Sequence, residues 1–526
     1  MKRLLTLLLA AFLTTVSVFP QEKAANSIKK DISSEEMKFL SSDALEGRNT
    51  GSKGNDTAAE YISRAALNAG LKPLPGRQDL FQTLEYLKVS ILPDSSVISV
   101  TDTTGRILFT DKIIPMMSPK SRVDLSGEIV FAGYGFSSSV EKYNDFEGLS
   151  LKDKIVIIMT RTPDLSGSGL PSGTSEVDEN TEVRKLAMLI FSQPKAILYV
   201  TDPSLETENG LNDLRATGDY QLVPLFKTEM FDFSLNVYMI SRETANALLL
   251  KSGQTLNSLQ GKIAESKKPS SFTVPDTRAS VKISVSYDTV TSSNVVGYLE
   301  GSDPVLKNEC VIYTAHYDHV GIDSEGDIRN GANDNASGTI GLLNVARAFS
   351  GLERKPLRSI VFLWTTGEEV GLHGSSYYVN NPLFPLENTV ADINFDMIGR
   401  SVRDTDTGRS PTGEIDITGK DTIKVISGGN SKGLVDIAKE ACSAVDLYGI
   451  DEGKGTHFSG SDHFPFYRKG IPVLFFFSGL HKDYHQPTDD FEFIDFDKLV
   501  KVSKAGFLTG YKIANTRERP VAEKKQ

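Results

Sequence analysis

The chain has 526 residues, of which 39% are hydrophobic and 24% are charged, as is ordinary for a globular protein. This length exceeds what one hydrophobic core usually serves, so we expect two domains. The formal net charge is −11. An acidic balance argues against a nucleic-acid or anionic-membrane partner, because such partners need a basic face.

The first 20 residues have the pattern of a signal peptide. Lys2 and Arg3 supply the positive start, and Leu4 to Phe12 form an apolar run that is too short for a comfortable membrane span. We therefore expect an exported protein, periplasmic or secreted, with no membrane contact beyond the export signal. An uncleaved anchor is the alternative.

Two helices and a loop are predicted next. Ser33 or Ser34 can cap a helix that has acidic residues in its first turn. Residues 45–54 are rich in Gly and polar residues and predict a loop, and a second helix is predicted at about residues 56–68.

The residue pattern then changes to short runs that favour β-strands, which are GEIVFAGYGF, DKIVIIM, KAILYVTD and LNVYMISR. A Ser/Gly/Pro-rich loop at 161–177 interrupts them, and a linker is predicted at 267–279. This pattern predicts a compact, strand-dominated module at 123–270. The module is inserted into a first domain formed by residues 31–115 and 280–515.

Strand-like and helix-like runs alternate after the linker. Strands are predicted at 294–299, 310–315, 359–364, 390–395 and 473–477, and helices at 338–349 and 433–445. The alternation predicts an α/β layer sandwich with a largely parallel or mixed central sheet. Cys310 and Cys442 fall in these runs, and we expect two separate buried thiols. The charged tail, 516–526, is expected to be disordered.

Polar side chains with metal-ligand chemistry follow several of these runs. His316, in TAHYDH, ends a strand, and Asp318 could accept the proton on its other imidazole nitrogen. Asp334, in NGANDNASG, precedes a helix and could bring its two oxygens to two ions. The plainer alternatives are a surface His-Asp pair and a simple helix cap.

Glu368 and Glu369, in TTGEEVGLHGS, come directly after a buried strand, and Asp396, in INFDMIGR, ends another. A lone carboxylate against an apolar run is costly unless it is hydrogen-bonded or metal-bound. One glutamate that binds a metal and one that acts as a base would explain the pair, and solvated loop acids are the alternative. Further along, His485 follows VLFFF, and Asp462 and His463 occupy an aromatic-lined loop.

Four carboxylates that converge on one cleft would repel one another, and some would take up protons. Two Zn²⁺ ions would supply the compensating charge. Three carboxylates and two histidines suit zinc. Metals about 3.5–4 Å apart that share a carboxylate and a water generate hydroxide and polarise a carbonyl.

The order His-x-Asp, Asn-Asp-Asn-Ala-Ser-Gly, Gly-Glu-Glu, Asp-Met-Ile-Gly and a late His resembles the secreted zinc aminopeptidase and glutamate carboxypeptidase family. The resemblance covers 31–115 and 280–515, and LEGRNT (45–50) is similar to an N-terminal signature of the family. It implies a three-layer sandwich with a mixed central β-sheet. The inserted module resembles a protease-associated domain.

The resemblance also implies roles for individual residues. His316 and Asp396 would bind one zinc, Glu369 and His485 would bind the other, and Asp334 would bridge the two ions of each subunit.

By the same resemblance, Glu368 would be the general base and then the general acid, and Asp318 would orient His316. Asp462 and His463 would support the site or contact substrate. The remaining histidines have no role and are interpreted as ordinary surface or packing residues; they are His319, His373, His457 and His481.

The leading hypothesis is thus an aminopeptidase that acts on peptides. A dipeptidase or carboxypeptidase of the same fold is the runner-up, and it would need a cationic clamp for a carboxylate. A glutaminyl cyclase, which typically uses one zinc, and a non-catalytic receptor-like relative are further alternatives. The sequence gives no indication of the oligomeric state.

Overall fold

The computed structural model describes most of the chain. The described residues are 20–116, 119–165, 179–205, 220–228, 236–323, 325–407, 409–410, 413–428 and 431–520. The predicted leader up to residue 19, positions 166–177 of the predicted loop and the last six residues of the predicted tail lie outside these ranges.

The helices of the described residues are α1 (Pro20–Ala25), α2 (Lys30–Leu40), α3 (Lys53–Asn68), α4 (Glu179–Ile190), α5 (Arg242–Leu249), α6 (Leu256–Ser266), α7 (Gly338–Ser350), α8 (His373–Asn380), α9 (Lys432–Ser443), α10 (His463–Arg468) and α11 (Phe496–Asn515). The prediction of a cap at Ser33 or Ser34 was wrong, because α2 begins at Lys30. Ser33 lies on its buried face, where its hydroxyl donates to the Lys29 carbonyl and accepts from the Asn344 amide.

The first strands are β1 (Phe81–Ile91), β2 (Val97–Asp102), β3 (Ile107–Lys112), β4 (Ile114–Pro115), β5 (Val123–Phe131), β6 (Ser137–Ser138), β7 (Tyr143–Asn144), β8 (Ile155–Met159), β9 (Ala196–Val200), β10 (Tyr220–Pro224), β11 (Val237–Ile240) and β12 (Phe272–Ile283). The later strands are β13 (Val285–Leu299), β14 (Cys310–His316), β15 (Gly321–Ile322), β16 (Ile328–Arg329), β17 (Ser359–Thr365), β18 (Thr389–Asp396), β19 (Arg409–Ser410), β20 (Gly413–Glu414), β21 (Thr422–Ile426), β22 (Tyr448–Gly453) and β23 (Val473–Phe477). The predicted strand at 473–477 has the predicted bounds.

Nine strands form one sheet in the order β10-β1-β13-β17-β14-β18-β23-β21-β22. The four strands in its middle, β17, β14, β18 and β23, are mutually parallel, whereas antiparallel pairs flank them. The sheet is therefore mixed, as predicted. Because these four strands run in the same direction, their carboxyl ends lie along one edge, where open α/β sheets place their sites.

Helices cover both faces of this sheet. On β14, Val311 and Tyr313 pack into a cluster with α2, α3, α7, α9 and α11, whereas Cys310 and Ile312 pack into a second cluster with α8 and α10. Strands that are buried on both faces have continuous apolar sequences, which is why the sequence predicted them. The structure confirms the three-layer α/β sandwich.

A second sheet of eight strands has the order β3-β2-β12-β5-β8-β9-β11-β4. All of these strands lie between residues 97 and 283, and α4, α5 and α6 lie in the same stretch of chain. Residues 97–115, which the sequence-based boundaries assigned to the first unit, thus belong to the second sheet. The chain passes from the first sheet to the second at 92–96 and returns at Ser284, and in between β10 pairs with β1 of the first sheet.

Cys310 and Cys442 are both buried and unpaired, in β14 and α9. Burial raises the pKa of each thiol to about 12. Both side chains are therefore neutral core groups at neutral pH. Within the described ranges, no helix is both long and apolar enough to cross a bilayer.

We predict that Gly510→Ala destabilises the fold. A Cβ at Gly510 of α11 would lie 1.7 Å from the hydroxyl oxygen of Tyr313, which is fully buried and donates to the Gly506 carbonyl. Overpacking of this kind costs roughly 1–3 kcal/mol or more. Chemical denaturation measures the free energy of unfolding. Gly261→Ala, at an exposed position of α6 with no atom near the added methyl, is the control and should be neutral or stabilising by up to about 1 kcal/mol.

Candidate metal centre

The predicted ligands meet at the carboxyl edge of the parallel strands. His316 is the last residue of β14 and Asp396 the last of β18. Glu368 and Glu369 follow β17, and His485 lies in the segment after β23. Residues distant in sequence thus come together because their strands are neighbours in one parallel set.

Asp334 reaches the same edge from a short irregular segment, Ala332–Ser337, that precedes α7. The polar residues of NGANDNASG fasten this segment to the loop after β18. The Asn335 amide donates to the Phe395 carbonyl, and its oxygen accepts from the backbone of Gly338 and Met397. The peptide bond between Asp334 and Asn335 is cis. The motif therefore positions one carboxylate with the help of its neighbouring side chains.

The two oxygens of Asp334 face two different groups of side chains. Its Oδ1 lies 3.4 Å from His316 Nε2, and that nitrogen lies 3.3 Å from Asp396 Oδ1. Its Oδ2 lies 3.1 Å from His485 Nε2, which lies 3.0 Å from Glu369 Oε2. The five side chains form two adjacent clusters that share one carboxylate, and each cluster could hold a metal ion.

These atoms are close together, yet several lack a hydrogen bond. His316 Nε2, Asp334 Oδ2, Asp396 Oδ1 and His485 Nε2 are buried and have no hydrogen-bond partner among the described residues. Buried polar atoms are usually satisfied. The nitrogen and oxygen atoms lie 3.0–3.4 Å apart without hydrogen bonds between them. They are instead arranged around a common centre in each cluster. This is the arrangement expected of metal ligands.

The concentration of charge perturbs the side chains. Burial raises the pKa of Glu368 well above its usual range, and the negative charges of Glu369 and Asp396 raise it further. Burial alone would lower the pKa of His485, but the charges of Glu369 and Asp334 raise it to about 10. Likewise, burial opposes ionisation of Glu369, but His485 and His319 hold its pKa well below the usual value. Burial and the neighbouring charges therefore oppose ionisation of Glu368, whereas the two histidines favour the ionised form of Glu369.

Asp318 is placed differently from the prediction. The Nδ1 of His316 lies 3.2 Å from the backbone carbonyl of Asp318, whereas the Asp318 carboxylate is 3.8 Å away. That carboxylate accepts from the backbone N–H groups of Glu368 and Glu369 and from the hydroxyl of Thr50. Asp318 therefore fixes the loop that carries the two glutamates, and its main chain contacts the histidine.

Arg48 supports the site through contacts that sequence reasoning missed. It lies in LEGRNT, is fully buried, and donates to the carbonyls of Tyr317, Asn330 and Gly331. These carbonyls belong to the two loops that carry His316 and Asp334. The LEGRNT pattern was the signal for Arg48, but nothing in the sequence connects it to partners more than 260 residues away.

Asp489 was also missed. Its buried carboxylate accepts from the backbone N–H groups of Asn333 and Asp334, and Arg400 lies 3.5 Å away. Burial raises the pKa of Asp489 to about 6 despite that guanidinium. The acid holds the bridging loop in place from the segment that carries His485. In sequence it is one of two adjacent aspartates, and nothing marks it as the inward-facing one.

His319 is the third residue that was missed, and its interpretation as a surface or packing histidine was wrong. It is fully buried, and its Nδ1 lies 2.8 Å from Glu369 Oε1 and 3.7 Å from Asp334 Oδ2. It belongs to the cluster that contains Glu369 and His485. The position directly after Asp318 in TAHYDH was its only signal.

Asp462 and His463 lie behind the site. Asp462 is fully buried and accepts from the Thr365 hydroxyl, and its pKa is raised mainly by burial. The ring of His463 stacks on Phe475, and its Nε2 donates to the Phe458 carbonyl. Neither lines the cavity described next. Of the other histidines, His373 is a buried packing residue, His481 is buried with its Nε2 3.0 Å from the Asn333 side-chain amide nitrogen, and His457 lies in the cavity wall.

A cavity of about 560 Å³ opens onto the cluster. Its walls contain catalytic-type carboxylates, aromatic residues and further acids, and they are Asp334, Glu368, Asp396, Met397, Glu414, Asp416, Thr456, His457, Ser459, Gly460, Phe475, Phe477, Leu480 and Tyr484. A second cavity of about 870 Å³ lies between α1, α9 and α11 and contains none of the cluster residues. The first cavity is the space in which a substrate could meet the cluster.

The buried His463 predicts a pH dependence of stability. Burial lowers its pKa to about 4, below that of an unfolded histidine, so folding favours the neutral ring. The stability that folding gains from the neutral ring of His463 is fully present above pH 6.5, and it is lost as the pH falls from 6.5 towards 4. At pH 5 the cost is about 2 kcal/mol. We expect His463→Gln to reduce the difference in unfolding free energy between pH 7 and pH 5 by that amount. An unchanged difference would contradict a neutral His463.

Comparison with known proteins agrees with this geometry. Residues 294–507 match the model of peptidase family M28. The aminopeptidase YwaD of Bacillus subtilis is 29% identical over 245 residues, which are 45% of this chain and 48% of YwaD. The match thus spans about half the length of that relative.

Two solved structures share the fold. An aminopeptidase from Aneurinibacillus sp. strain AM-1 superimposes with a TM-score of 0.55 and 20% identity, over 96% of this chain and 98% of the other. BSAP, a zinc aminopeptidase from Bacillus subtilis, superimposes with a TM-score of 0.52 and 18% identity, over 94% of this chain and 98% of BSAP. All of the cluster residues lie within residues 294–507, the part of the chain that matches the model of peptidase family M28.

Proposed function

We propose that the protein is an exported aminopeptidase that uses two zinc ions per subunit to hydrolyse peptides. The observation that carries the proposal is the division of Asp334 between two clusters, with one oxygen towards His316 and the other towards His485. A carboxylate shared in this way suits two adjacent cations. In this proposal Asp396 completes the first site and Glu369 the second.

The donor set fits zinc. Zinc bonds to nitrogen and oxygen of about 2.0–2.1 Å in a tetrahedron separate neighbouring donor atoms by roughly 3.3 Å. The nitrogen–oxygen distances in the two clusters are 3.0–3.4 Å. Imidazole and carboxylate are the ligands zinc accepts most readily besides thiolate. BSAP, which has the same fold, is itself described as a zinc enzyme.

Bound zinc would polarise the scissile carbonyl and lower the pKa of a water molecule. The chain supplies the proton transfer through Glu368. Its carboxylate lines the cavity and has no hydrogen bond to another described residue, whereas Glu369 is held by His319 and His485. Glu368 is thus the free member of the pair, and it would take a proton from water and pass it to the leaving amine.

The cavity favours an amino-terminal substrate over a carboxy-terminal one. An α-ammonium group needs acidic or carbonyl partners, whereas an α-carboxylate needs a cationic clamp. The described lining includes Glu414 besides the cluster acids, and it contains no Lys or Arg. Asp416 also lines the cavity, but its carboxylate is already paired with Lys424 and His457. YwaD and the Aneurinibacillus enzyme are both called aminopeptidases. These observations support an aminopeptidase rather than a carboxypeptidase.

We expect Glu368→Gln to abolish turnover while both zinc ions stay bound. Loss of a general base lowers kcat by about 100- to 10,000-fold, and the amide keeps the shape of the side chain. Metal analysis and aminoacyl-anilide hydrolysis measure the two effects. Glu60→Gln, on the exposed surface of α3, is the matched control and should behave like the unmodified enzyme. Retained activity in Glu368→Gln would overturn the assignment of Glu368 as the base. If the unmodified protein bound no metal and were inactive, the proposal that it is an enzyme would be refuted.

We also expect hydrolysis of aminoacyl anilides and free-amine peptides but not of their N-acetylated forms, because acetylation removes the ammonium charge that the acidic cavity would bind. Rates on matched pairs of free and blocked substrates test this expectation. Activity confined to N-blocked substrates would refute the aminopeptidase proposal but would not contradict the proposed metal site.

Export is supported by the sequence alone, through Lys2, Arg3 and the apolar run that follows. Expression of the whole chain followed by amino-terminal sequencing of the mature protein tests it. Removal of about the first 20 residues in the exported fraction is expected. A chain that keeps Met1 and stays with the cells would contradict export.

A further inference from the structure

We propose that His319 is a positioning residue for the second zinc site: its Nδ1–H holds one oxygen of Glu369, so that the other oxygen is left to face the metal beside His485. This inference rests on the proposed function, because it assigns a partner to one of the proposed ligands. It gives a role to a histidine that lies outside the set of five.

The geometry divides the Glu369 carboxylate between two imidazoles. Oε1 lies 2.8 Å from His319 Nδ1 with hydrogen-bond geometry, and Oε2 lies 3.0 Å from His485 Nε2. A carboxylate fixed at one oxygen has little freedom to rotate. Groups that hydrogen-bond to a metal ligand set its orientation, and their loss typically weakens metal binding by 10- to 100-fold.

The surroundings of His319 fix its ring. Its backbone N–H donates to the carbonyl of Arg48 at 3.2 Å, and its side chain is fully buried. The ring packs against Gly331, where an added Cβ would lie 2.5 Å from it, and Gly331 has a φ of +57°. Glycine is thus required at 331 by both the backbone and the ring, which leaves His319 a single place next to Glu369.

Packing alone does not explain an imidazole at this position. His319 Nε2 is buried without a hydrogen-bond partner among the described residues, so the ring keeps one polar atom unsatisfied. Burying such an atom is unfavourable, and an apolar side chain of similar size would avoid it. The bond from Nδ1 to Glu369 is the one side-chain hydrogen bond of His319 among the described residues, and an apolar side chain could not make it.

The test compares three variants of the full-length protein. His319→Leu removes the donor, whereas His319→Asn keeps an N–H group near the position of Nδ1. His373→Leu is the matched control, because His373 is also buried but its ring packs against Tyr86 and Phe226 and belongs to neither ligand cluster. Zinc affinity is measured by titrating the metal-free proteins against a chromophoric chelator, and cobalt spectra report each site separately.

We expect the unmodified protein to bind two ions in two resolved steps. His319→Leu should weaken one step by 10- to 100-fold and leave the other unchanged, and His319→Asn should recover most of the loss. His373→Leu should change neither step. Circular dichroism and thermal unfolding check that each variant is folded, and His319→Asn keeps the test informative if His319→Leu is not.

Several results would overturn the inference. Equal affinities in all folded variants would show that His319 does not position Glu369. Complete loss of one ion in both His319→Leu and His319→Asn would make His319 a direct ligand instead. Failure of the unmodified protein to bind two zinc ions would refute the proposed function itself, and that outcome is distinct from the other two.

Discussion

The site depends on burying four carboxylates close together in one small volume. Asp334, Glu368, Glu369 and Asp396 lie within reach of one another, and desolvation works against ionisation of the cluster. A fold that places such a cluster must hold it rigidly, since relaxation would let the like-charged acids move apart. Much of the polar structure around the strand ends can be understood as the means of holding it.

The rigidity comes from side chains that act on backbone. Arg48 binds the carbonyls of two ligand-bearing loops, Asp489 binds the amides of one, and Asp318 binds the amides of another. A buried charged group that is satisfied by several backbone groups costs little once it is paired, but it is expensive to leave unpaired. The loops are therefore fixed by contacts that reach across the fold rather than along the chain.

This division explains what the sequence could predict. His316 and Asp396 end strands that are buried on both faces, and continuous apolar runs identify such strands directly. Ser33 failed as a helix cap because α2 begins three residues earlier, at Lys30, and the Ser33 side chain faces Asn344 inside the fold. The pairing of residues 97–115 with the second sheet also escaped prediction, because alternation of residues identifies a strand but not its neighbour.

The crossing points between the two sheets have a further consequence. Strands β1 and β13 are antiparallel neighbours, and the intervening chain leaves and returns where the Leu92 N–H donates to the Ser284 carbonyl at 2.9 Å. A short turn could join β1 and β13 as a simple hairpin, so the stretch that forms the second sheet is an insertion at the end of one hairpin. Strand β10, however, comes from the inserted stretch and covers the outer edge of β1. Deleting this insertion would therefore leave the outer edge of β1 unpaired, and unpaired strand edges promote aggregation.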